Sequence, residues 1–354
     1  MSQTNDLKAA LKTHFQWHGA RLAFLVLFIQ ALYRVKTVNL VELATALNPK
    51  VKQNSNQRRL QRFFTEYALD EDSVARFVVA LIPKPDEGYT LSMDRTTWQF
   101  GQMWLNFLVL SICHNGVAIP VCWMMLPKQG NSNTLERIAL LEIFISLFGR
   151  RCINCLAGDR EFIGNAWFTY LKSEGISLRQ RIKRNFQVST QNGSTIKAVA
   201  LFQHLAVGQT LILNDKRTVL GHDLYLIGMR LSATEWLILA TDQRPETALE
   251  DYARRWEIET LFGILKSRGF RLEETHLTDP ERLSKLFALL CIATLWAFTL
   301  GEWLHQQQPI PIKKHGRLAK SLFRNGLDSL RTLLFFPQQN RQLFKQAINL
   351  LSCT

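Results

Sequence analysis

Residues 88–124 read GYTLSMDRTTWQFGQMWLNFLVLSICHNGVAIPVCWM and mark the point where the sequence pattern changes from helical to strand-like. Three runs rich in β-branched, aromatic and aliphatic residues follow one another: residues 89–94, 104–112 and 117–124. The last two are joined at Asn115-Gly116, a strong β-hairpin signal. Pro120 lies in the third run and cannot donate a backbone hydrogen bond to a neighbouring strand. The stretch therefore predicts three meandering strands, with the third at a sheet edge.

The elements that follow extend this pattern into an α/β fold. A helix is predicted over residues 134–147, a strand over 152–157 and a second helix over 165–172. Three meandering strands, a helix, a strand and a helix form the opening of a ribonuclease-H-like fold, in which the third strand is an edge. Proteins of this fold have many different functions, so function must be argued from the site residues.

The rest of the chain divides into segments of different character. Residues 1–85 have apolar positions at helical spacing and end at Pro83 and Pro85, which predicts a small all-α domain. Short alternating runs with polar turns predict a mostly β insertion, after which a long helix is predicted from about Pro245 to Ser267. The predicted segments are an all-α domain (1–85), an α/β core (86–175 and 244–305), a β-rich insertion (176–243) and a basic, helical C-terminal region (306–354).

Composition predicts a polyanionic partner. The chain has 354 residues, with 43 Lys and Arg against 29 Asp and Glu, which gives a net charge of +14. Such a basic protein usually binds nucleic acid, with anionic membrane as the second possibility. The uncharged stretch Leu286–Gly301 is shorter than the ~20 residues of a membrane-spanning helix, so we expect a buried core helix and no membrane partner.

Cysteine usage and the N-terminus predict a cytoplasmic protein. Six scattered cysteines are too few for a disulfide scaffold in a chain of this length, which favours a reducing compartment. The opening MSQTNDLKAALK lacks the charged start and apolar run of a signal peptide.

Two basic clusters are candidate DNA contacts. Arg58, Arg59 and Arg62 lie in an amide-rich segment without an acid from residue 48 to 65, which suits contacts to phosphates and base edges. Arg181, Lys183 and Arg184 lie at the start of the predicted insertion, where one face of a strand could follow a DNA backbone. The alternatives are a solvated helix face for the first cluster and a charged edge strand for the second.

Two aspartates lie at the ends of apolar strands. Asp94 ends the first predicted strand, and Asp159 ends the fourth. If those strands are parallel neighbours, the two carboxylates meet at one sheet edge, where their repulsion is relieved by a divalent cation between them. The alternative is that each aspartate caps the segment that follows it.

A third element is the helix predicted over 245–267. At ~100° per residue, Tyr252, Arg255, Glu259 and Lys266 share one 60° stripe of that helix. An acid, two cations and a tyrosine on one face suit a surface that binds metal and phosphate. An ordinary exposed face with an Arg255–Glu259 pair fits the spacing equally well.

These motifs together resemble a known family. The pattern Tyr252-x2-Arg255-x3-Glu259-x6-Lys266 is similar to the Y-R-E-K signature of the IS4-type DDE transposases. Asp94 within DRTTW and Asp159 within DREF resemble the first two acids of that family. The resemblance covers roughly residues 88–275, including a β insertion between the second Asp and the Glu.

The resemblance implies an enzyme that cuts and joins DNA. Asp94, Asp159 and Glu259 are expected to hold two Mg²⁺ ions, for which Mn²⁺ substitutes, and the metals activate the attacking hydroxyl and stabilise the leaving oxygen. Tyr252 and Arg255 are expected to grip a phosphate near the transposon end, and Lys266 to add positive charge there.

The resemblance also implies how the DNA is handled. The family often forms a DNA hairpin with a base flipped onto an aromatic side chain, for which Trp98, Trp167 and Trp236 are candidates. The expected partners are double-stranded DNA with terminal inverted repeats and a second copy of the chain, in the bacterial cytoplasm near the nucleoid, without a small-molecule substrate.

Two alternatives stay open from the sequence. One is a ribonuclease-H-like nuclease that cleaves without joining, which strand-transfer products would distinguish. The other is a DNA-binding repressor without chemistry, against which the intact set of three acids argues.

Overall fold

The computed structural model describes residues 3–190, 192–314, 316–336 and 338–352. The chain forms two compact units. The first, here called the helical unit, comprises residues 1–83, 98–105 and 261–354. The second, here called the sheet unit, comprises residues 84–97 and 106–260.

The helices occur mainly at the two ends of the chain. They are α1 (Gln3–Lys12), α2 (Gly19–Val35), α3 (Leu40–Leu47), α4 (Gln53–Glu66), α5 (Glu71–Ala80), α6 (Thr134–Phe148), α7 (Asn165–Ser173), α8 (Ala248–Ala253), α9 (Trp256–Gly263), α10 (Pro280–Gln307), α11 (Leu322–Phe335) and α12 (Arg341–Asn349). Local capping explains several boundaries: Asn133 and Glu136 form a reciprocal capping box at the start of α6, and Asp279 caps α10, which has Pro280 in its first turn.

The strands occupy the middle of the chain. They are β1 (Tyr89–Phe100), β2 (Met103–His114), β3 (Val117–Met125), β4 (Ile153–Gly158), β5 (Ser177–Arg181), β6 (Gln187–Ser189), β7 (Thr195–Lys197), β8 (Thr210–Ile212), β9 (Arg217–Val219), β10 (His222–Arg230) and β11 (Trp236–Thr241). The main sheet has the order β3-β2-β1-β4-β5-β11-β10-β8, with β9 paired to β10.

The predicted three-strand meander is confirmed. β2 and β3 pair antiparallel across Asn115-Gly116, both with positive φ, as the hairpin signal indicates. β3 forms the sheet edge, and Pro120 lies opposite Ser111 where the register shifts. The missing N–H of Pro120 therefore costs no hydrogen bond to a further strand.

The arrangement of β4 and β5 corrects the predicted start of the insertion. Both strands are parallel to β1, so β3-β2-β1-β4-β5 is the strand order of a ribonuclease-H-like core. The sequence predicts that the insertion begins at residue 176, which would include β5. In the structure β5 is instead an interior strand of the main sheet. β11, β10 and β8 continue that sheet, whereas β6 and β7 form a separate two-stranded sheet.

The helical unit is built around α10. Residues 283–301 of this helix are almost all buried, which confirms the predicted core helix. By length and composition α10 could cross a membrane, but 89% of its most apolar window is buried in the protein. The Tyr33 hydroxyl donates to Ala293 O at 2.7 Å, and Trp296 Nε1 donates to Ala347 O at 2.7 Å. The segments predicted as separate domains at residues 1–85 and 306–354 thus belong to one compact unit.

Candidate active site

Asp94 and Asp159 lie side by side on neighbouring parallel strands. The last paired residues of β1 and β4 are Met93 and Gly158, which lie opposite each other. Asp94 is the next residue of β1, and Asp159 is the first residue after β4. The prediction that the two strands are parallel neighbours, with both acids at the same end of the sheet, is confirmed. β1 does not end at Asp94, however, but continues to Phe100 in a hairpin with β2.

The Asp94 carboxylate is largely buried, with 20% of its side chain exposed. Its Oδ1 accepts a hydrogen bond from the Arg95 backbone N–H at 2.8 Å, and its Oδ2 lies 3.5 Å from Arg255 Nη1. Burial raises the pKa of Asp94 to about 6, against the opposing effects of the Arg95 N–H and the Arg255 guanidinium. The negative charges of Glu161 and Asp159 raise it further. The ionised form of Asp94 is therefore penalised mainly by the burial of its carboxylate.

Asp159 is held through its backbone and keeps one carboxylate oxygen available. Gln180 on β5 donates its side-chain N–H to Asp159 O at 2.5 Å and to Gly158 O at 3.0 Å. Asp159 Oδ1 is buried and has no hydrogen-bond partner within the part of the chain that the structure describes. The same oxygen forms a long ion pair with Arg160 Nε at 3.9 Å. A buried oxygen of this kind is satisfied by an ion or water.

The helix predicted over 245–267 is broken at the site. α8 ends at Ala253 and α9 begins at Trp256, and the turn between them uses i→i+3 bonds such as Arg255 N–H to Tyr252 O at 2.9 Å. At this turn the Arg254 side chain donates hydrogen bonds to Thr90 Oγ1 and to the Cys113 carbonyl oxygen. Beyond α9 the chain continues as a π-helical segment over Ile264–Arg268.

Arg255 joins two of the three acids. Its side chain is 2% exposed, and its Nη2 donates to Glu259 Oε1 at 2.7 Å while Nη1 faces Asp94. The pKa of Arg255 lies above its usual value: burial lowers it, but Tyr252, Glu259 and the two aspartates together outweigh this effect. Glu259 itself is 58% exposed. Asp94, Arg255 and Glu259 thus form a chain of opposite charges.

The predicted polar stripe does not form a single exposed face. Tyr252 is fully buried in an apolar cluster with Ala157 and Leu239, and its pKa is raised by burial. Lys266 forms an ion pair with Glu273 at 3.0 Å and lies over the Trp98 ring at 5.9 Å. Tyr252 and Arg255 are thus both enclosed, and the expectation that they grip a phosphate stays a prediction.

The three tryptophans predicted to stack on a flipped base differ in access. Trp167 is 1% exposed and stacks on Tyr170, and Trp98 is 5% exposed. Trp236 is half-buried, with the Arg230 guanidinium 5.0 Å from its ring. Trp236 is therefore the most accessible of the three.

The two basic clusters also differ. Arg58 and Arg62 are exposed on α4, and Arg59 is half-buried over the Phe24 ring at 5.9 Å. In the second cluster, Arg181 is buried on β5 and paired with Glu235 at 3.2 Å. The alternative of an edge strand is wrong for it, because β5 lies between β4 and β11. Lys183 and Arg184 follow β5 and are exposed.

The donor set fits a divalent cation at the two aspartates. Within the described ranges, no group of three His, Cys, Asp or Glu side chains is close enough to form a ready-made metal site. Asp94 and Asp159 nevertheless lie on neighbouring parallel strands, and Asp159 Oδ1 is buried without a hydrogen bond from any residue that the structure describes. Oxygen ligands are those that Mg²⁺ and similar hard cations prefer. Glu259 is the acid that Arg255 holds in this arrangement.

Two residues that the sequence did not single out contact this site. Arg95, next to Asp94, forms an ion pair with Glu161, two residues beyond Asp159, at 2.8 Å. Both stand inside the quoted DRTTW and DREF motifs, so their position beside the acids is the signal that could have drawn attention to them.

Comparison with known families is consistent with this geometry. The model of the transposase DDE domain family matches residues 85–296, which is more than half of the chain. The chain therefore belongs to this family of metal-dependent enzymes, which catalyse DNA cleavage and strand transfer.

Other comparisons add little. No curated protein matches the chain. Among solved structures, the chain is similar to a piggyBac transposase synaptic complex with hairpin DNA, determined by cryo-EM. The sequence identity is 13% and the TM-score is 0.44, and the match covers 92% of this chain and 74% of that chain. The family assignment rests on the sequence match alone.

Proposed function

We propose that this chain is an IS4-type transposase of a bacterial insertion sequence, which binds terminal inverted repeats and moves the element by cleavage and strand transfer. Asp94, Asp159 and Glu259 are its catalytic acids. The observation that supports this most directly is the parallel β1–β4 pairing, which brings Asp94 and Asp159 together, with Arg255 connecting Asp94 to Glu259.

The acids have distinct tasks in this proposal. Asp94 and Asp159 provide a fixed pair of ligands, because β1 and β4 hold their backbones in register. Glu259 is more exposed and completes the site from α9. Mg²⁺ bound to the three carboxylates would supply the charge that lowers the pKa of an attacking hydroxyl and stabilises a leaving oxygen.

Arg255 stabilises the carboxylates before metal binds. Its guanidinium occupies the interior between Asp94 and Glu259, where unpaired anions would repel one another. In this role Arg255 orients Glu259 rather than contacting DNA directly. Lys266 adds positive charge once DNA is bound.

We assign binding of the DNA backbone at the transposon ends to α4 and the neighbouring Arg21. A cleft of about 240 Å³ is lined by three arginines, Arg21, Arg59 and Arg62. Phe24 and Glu66 also line it. Arg21 lies over the Tyr67 ring at 4.7 Å, as Arg59 lies over Phe24, so aromatic surfaces hold both guanidinium groups in place. Three such cations suit a phosphodiester backbone.

The remaining steps follow the same proposal. A hairpin forms at the cut end, with Trp236 as the stacking surface for a flipped base. Two copies of the chain act on paired ends in the cytoplasm. The DNA that flanks the gene supplies the substrate: inverted repeats outside the coding sequence define the ends.

The test is a time course with full-length protein, labelled end DNA and target plasmid in Mg²⁺. The proposal requires nicked, hairpin and joined products in succession. Cleavage without any joined product would identify a nuclease, and binding without cleavage would identify a repressor.

A further inference from the structure

We propose that the ion pair between Arg95 and Glu161, here called the acid clamp, is a positioning device that fixes Asp94 and Asp159 relative to each other and thereby sets their affinity for divalent cations. The inference rests on the proposed metal site, and it assigns a role to two residues outside the acid triad.

The acid clamp is bidentate and largely enclosed. Arg95 Nε donates to Glu161 Oε1 at 2.8 Å, and Arg95 Nη2 donates to Glu161 Oε2 at 2.8 Å. The two side chains are 12% and 21% exposed. Parallel N–H···O bonds of this kind fix both distance and orientation, which a single ammonium contact cannot do.

The Arg95 guanidinium is also anchored to the loop after β3. Its Nη1 donates to Gly130 O at 2.7 Å, and Nη2 donates to Asn131 Oδ1 at 2.8 Å. Asn106 on β2 accepts from Nη1 at 3.3 Å and donates to Gly130 O at 3.1 Å. The position of Arg95 is thus determined by β2 and this loop as well as by its own strand.

The Glu161 segment is fixed from its other side by a second buried arginine. Arg137 on α6 is 4% exposed, and its Nη2 donates to Glu161 O at 2.9 Å. The same guanidinium lies 5.0 Å from the centre of the Phe162 ring, and Phe162 N–H donates to Asp159 O at 2.8 Å. The turn that carries Asp159 therefore has little freedom once Glu161 is held.

The placement explains why a clamp is needed. Arg95 is adjacent to Asp94 in sequence, and Glu161 is two residues from Asp159, so the ion pair joins the two acid-bearing segments just beyond the last paired residues of β1 and β4. Two adjacent carboxylates repel when no cation is bound. An ion pair beside them opposes their separation, and groups that orient metal ligands typically change metal affinity 10- to 100-fold when they are lost.

The experiment is calorimetric titration of Mn²⁺ alone into the full-length, metal-free protein. Glu161→Gln keeps the shape of the side chain but removes its charge, and Arg95→Lys keeps the charge but removes the fork. We expect each variant to bind Mn²⁺ 10- to 100-fold more weakly, and the double variant to be no weaker than the weaker single variant, since both substitutions break one pair.

A matched control is Arg179→Lys, which alters a fully buried arginine paired with Asp251 at 2.9 Å elsewhere in the sheet unit. We expect its Mn²⁺ affinity to stay within twofold of that of the unaltered protein, whatever its effect on thermal unfolding. If Glu161→Gln and Arg95→Lys also stay within twofold, or if Arg179→Lys weakens binding as much as they do, the acid clamp is wrong while the metal site stands. If the unaltered protein binds no Mn²⁺, both the clamp and the proposed metal site are wrong.

Discussion

At the scale of single residues, the site is defined by charges that are buried before any ligand arrives. Asp94 has a raised pKa because burial penalises its ionised form more than Arg255 and the Arg95 N–H stabilise it. Arg255 is enclosed and shared between Asp94 and Glu259. Perturbed charges of this kind are common at functional sites.

Asp94→Asn should stabilise the metal-free protein at pH 8. The folded-state pKa of about 6 exceeds the value of an unfolded aspartate near 4, so the cost of the charge is absent at pH 4 and grows as the pH rises through 6. We expect a gain of about 1–3 kcal/mol at pH 8, which shrinks towards pH 4. Calorimetric unfolding in a chelator measures it.

A control for this prediction is Asp328→Asn. The pKa of Asp328 is lowered, because hydrogen bonds from Lys320 and Arg324 outweigh the effect of its burial. Its substitution should therefore destabilise the protein at pH 8. If Asp94→Asn also lowers the free energy of unfolding at pH 8, the Asp94 charge is stabilising and the prediction is wrong.

Arg255→Ala should slow nicking and the later attack on the opposite strand by the same factor. The side chain is 2% exposed and bonded to Glu259, so its loss would misplace the acid that we propose to act in both steps. We expect a loss of about 10- to 100-fold in each step, and a smaller loss in Arg255→Lys. Time courses that resolve nicked and hairpin products measure both. A selective loss of the second step would instead support direct gripping of DNA by Arg255.

The residue scale also shows what the sequence could and could not reveal. Asp94 and Asp159 were recognisable because each ends an apolar strand predicted from the sequence, and the adjacency of those strands follows from the fold. Arg95 and Glu161 were not, since a charged residue beside an acid is equally compatible with solvation. Their pairing depends on atoms 66 residues apart that only the folded sheet unit brings together.

At the scale of elements, local signals predicted the first half of the sheet unit well. β1–β3 follow from alternation and the Asn-Gly turn, and β4 begins within one residue of its predicted start. The break between α8 and α9 was not predictable in this way, because residues 252–258 contain neither Gly nor Pro. Tertiary hydrogen bonds from Arg254 to Thr90 and Cys113 accompany the turn there, which helix propensity does not describe.

Gly326→Ala should strongly destabilise the helical unit. α10 and α11 pack so closely that a Cβ atom at Gly326 would overlap the carbonyl oxygen of Ala297, and one at Gly301 would overlap that of Leu322. Backbone cannot move aside as a flexible side chain can, so we expect a loss of about 3 kcal/mol or more. Thermal unfolding measures it. Gly19→Ala is the control, because its Cβ meets only the end of the Lys8 side chain; equal effects of the two substitutions would contradict the close crossing.

At the scale of the whole molecule, the division into units differs from the order of segments along the chain. Residues 1–83 and 261–354 share one compact unit, although sequence patterns separate them. Arg331 on α11, for example, donates to Tyr33 O on α2 at 3.0 Å. Contacts between residues so far apart in the chain leave no pattern in the spacing of apolar residues. For this reason the sequence predicted separate N-terminal and C-terminal segments instead of one helical unit.

The net charge of +14 should appear in the salt dependence of DNA binding. Arg58→Ala and Arg62→Ala each remove an exposed cation from α4, so each should weaken binding and reduce the log–log salt slope by about one. Titrations at several salt concentrations measure both. Arg151→Ala, which removes an exposed cation from the sheet unit, is the control. Unchanged slopes for both α4 variants would move recognition to another surface.

We propose that Asp94, Asp159 and Glu259 act as one metal-dependent site for cutting and joining DNA. The most direct test compares Asp94→Asn, Asp159→Asn and Glu259→Gln with the unaltered protein in the end-DNA assay with Mg²⁺, while DNA affinity is measured separately without metal. We expect each variant to lose cleavage and joining by at least about 1,000-fold, because each would lack one of the proposed metal ligands. We also expect DNA affinity that is equal or slightly tighter, because each variant lacks an anion that we propose faces phosphate. A variant that keeps more than a few per cent of cleavage would contradict the claim for that residue.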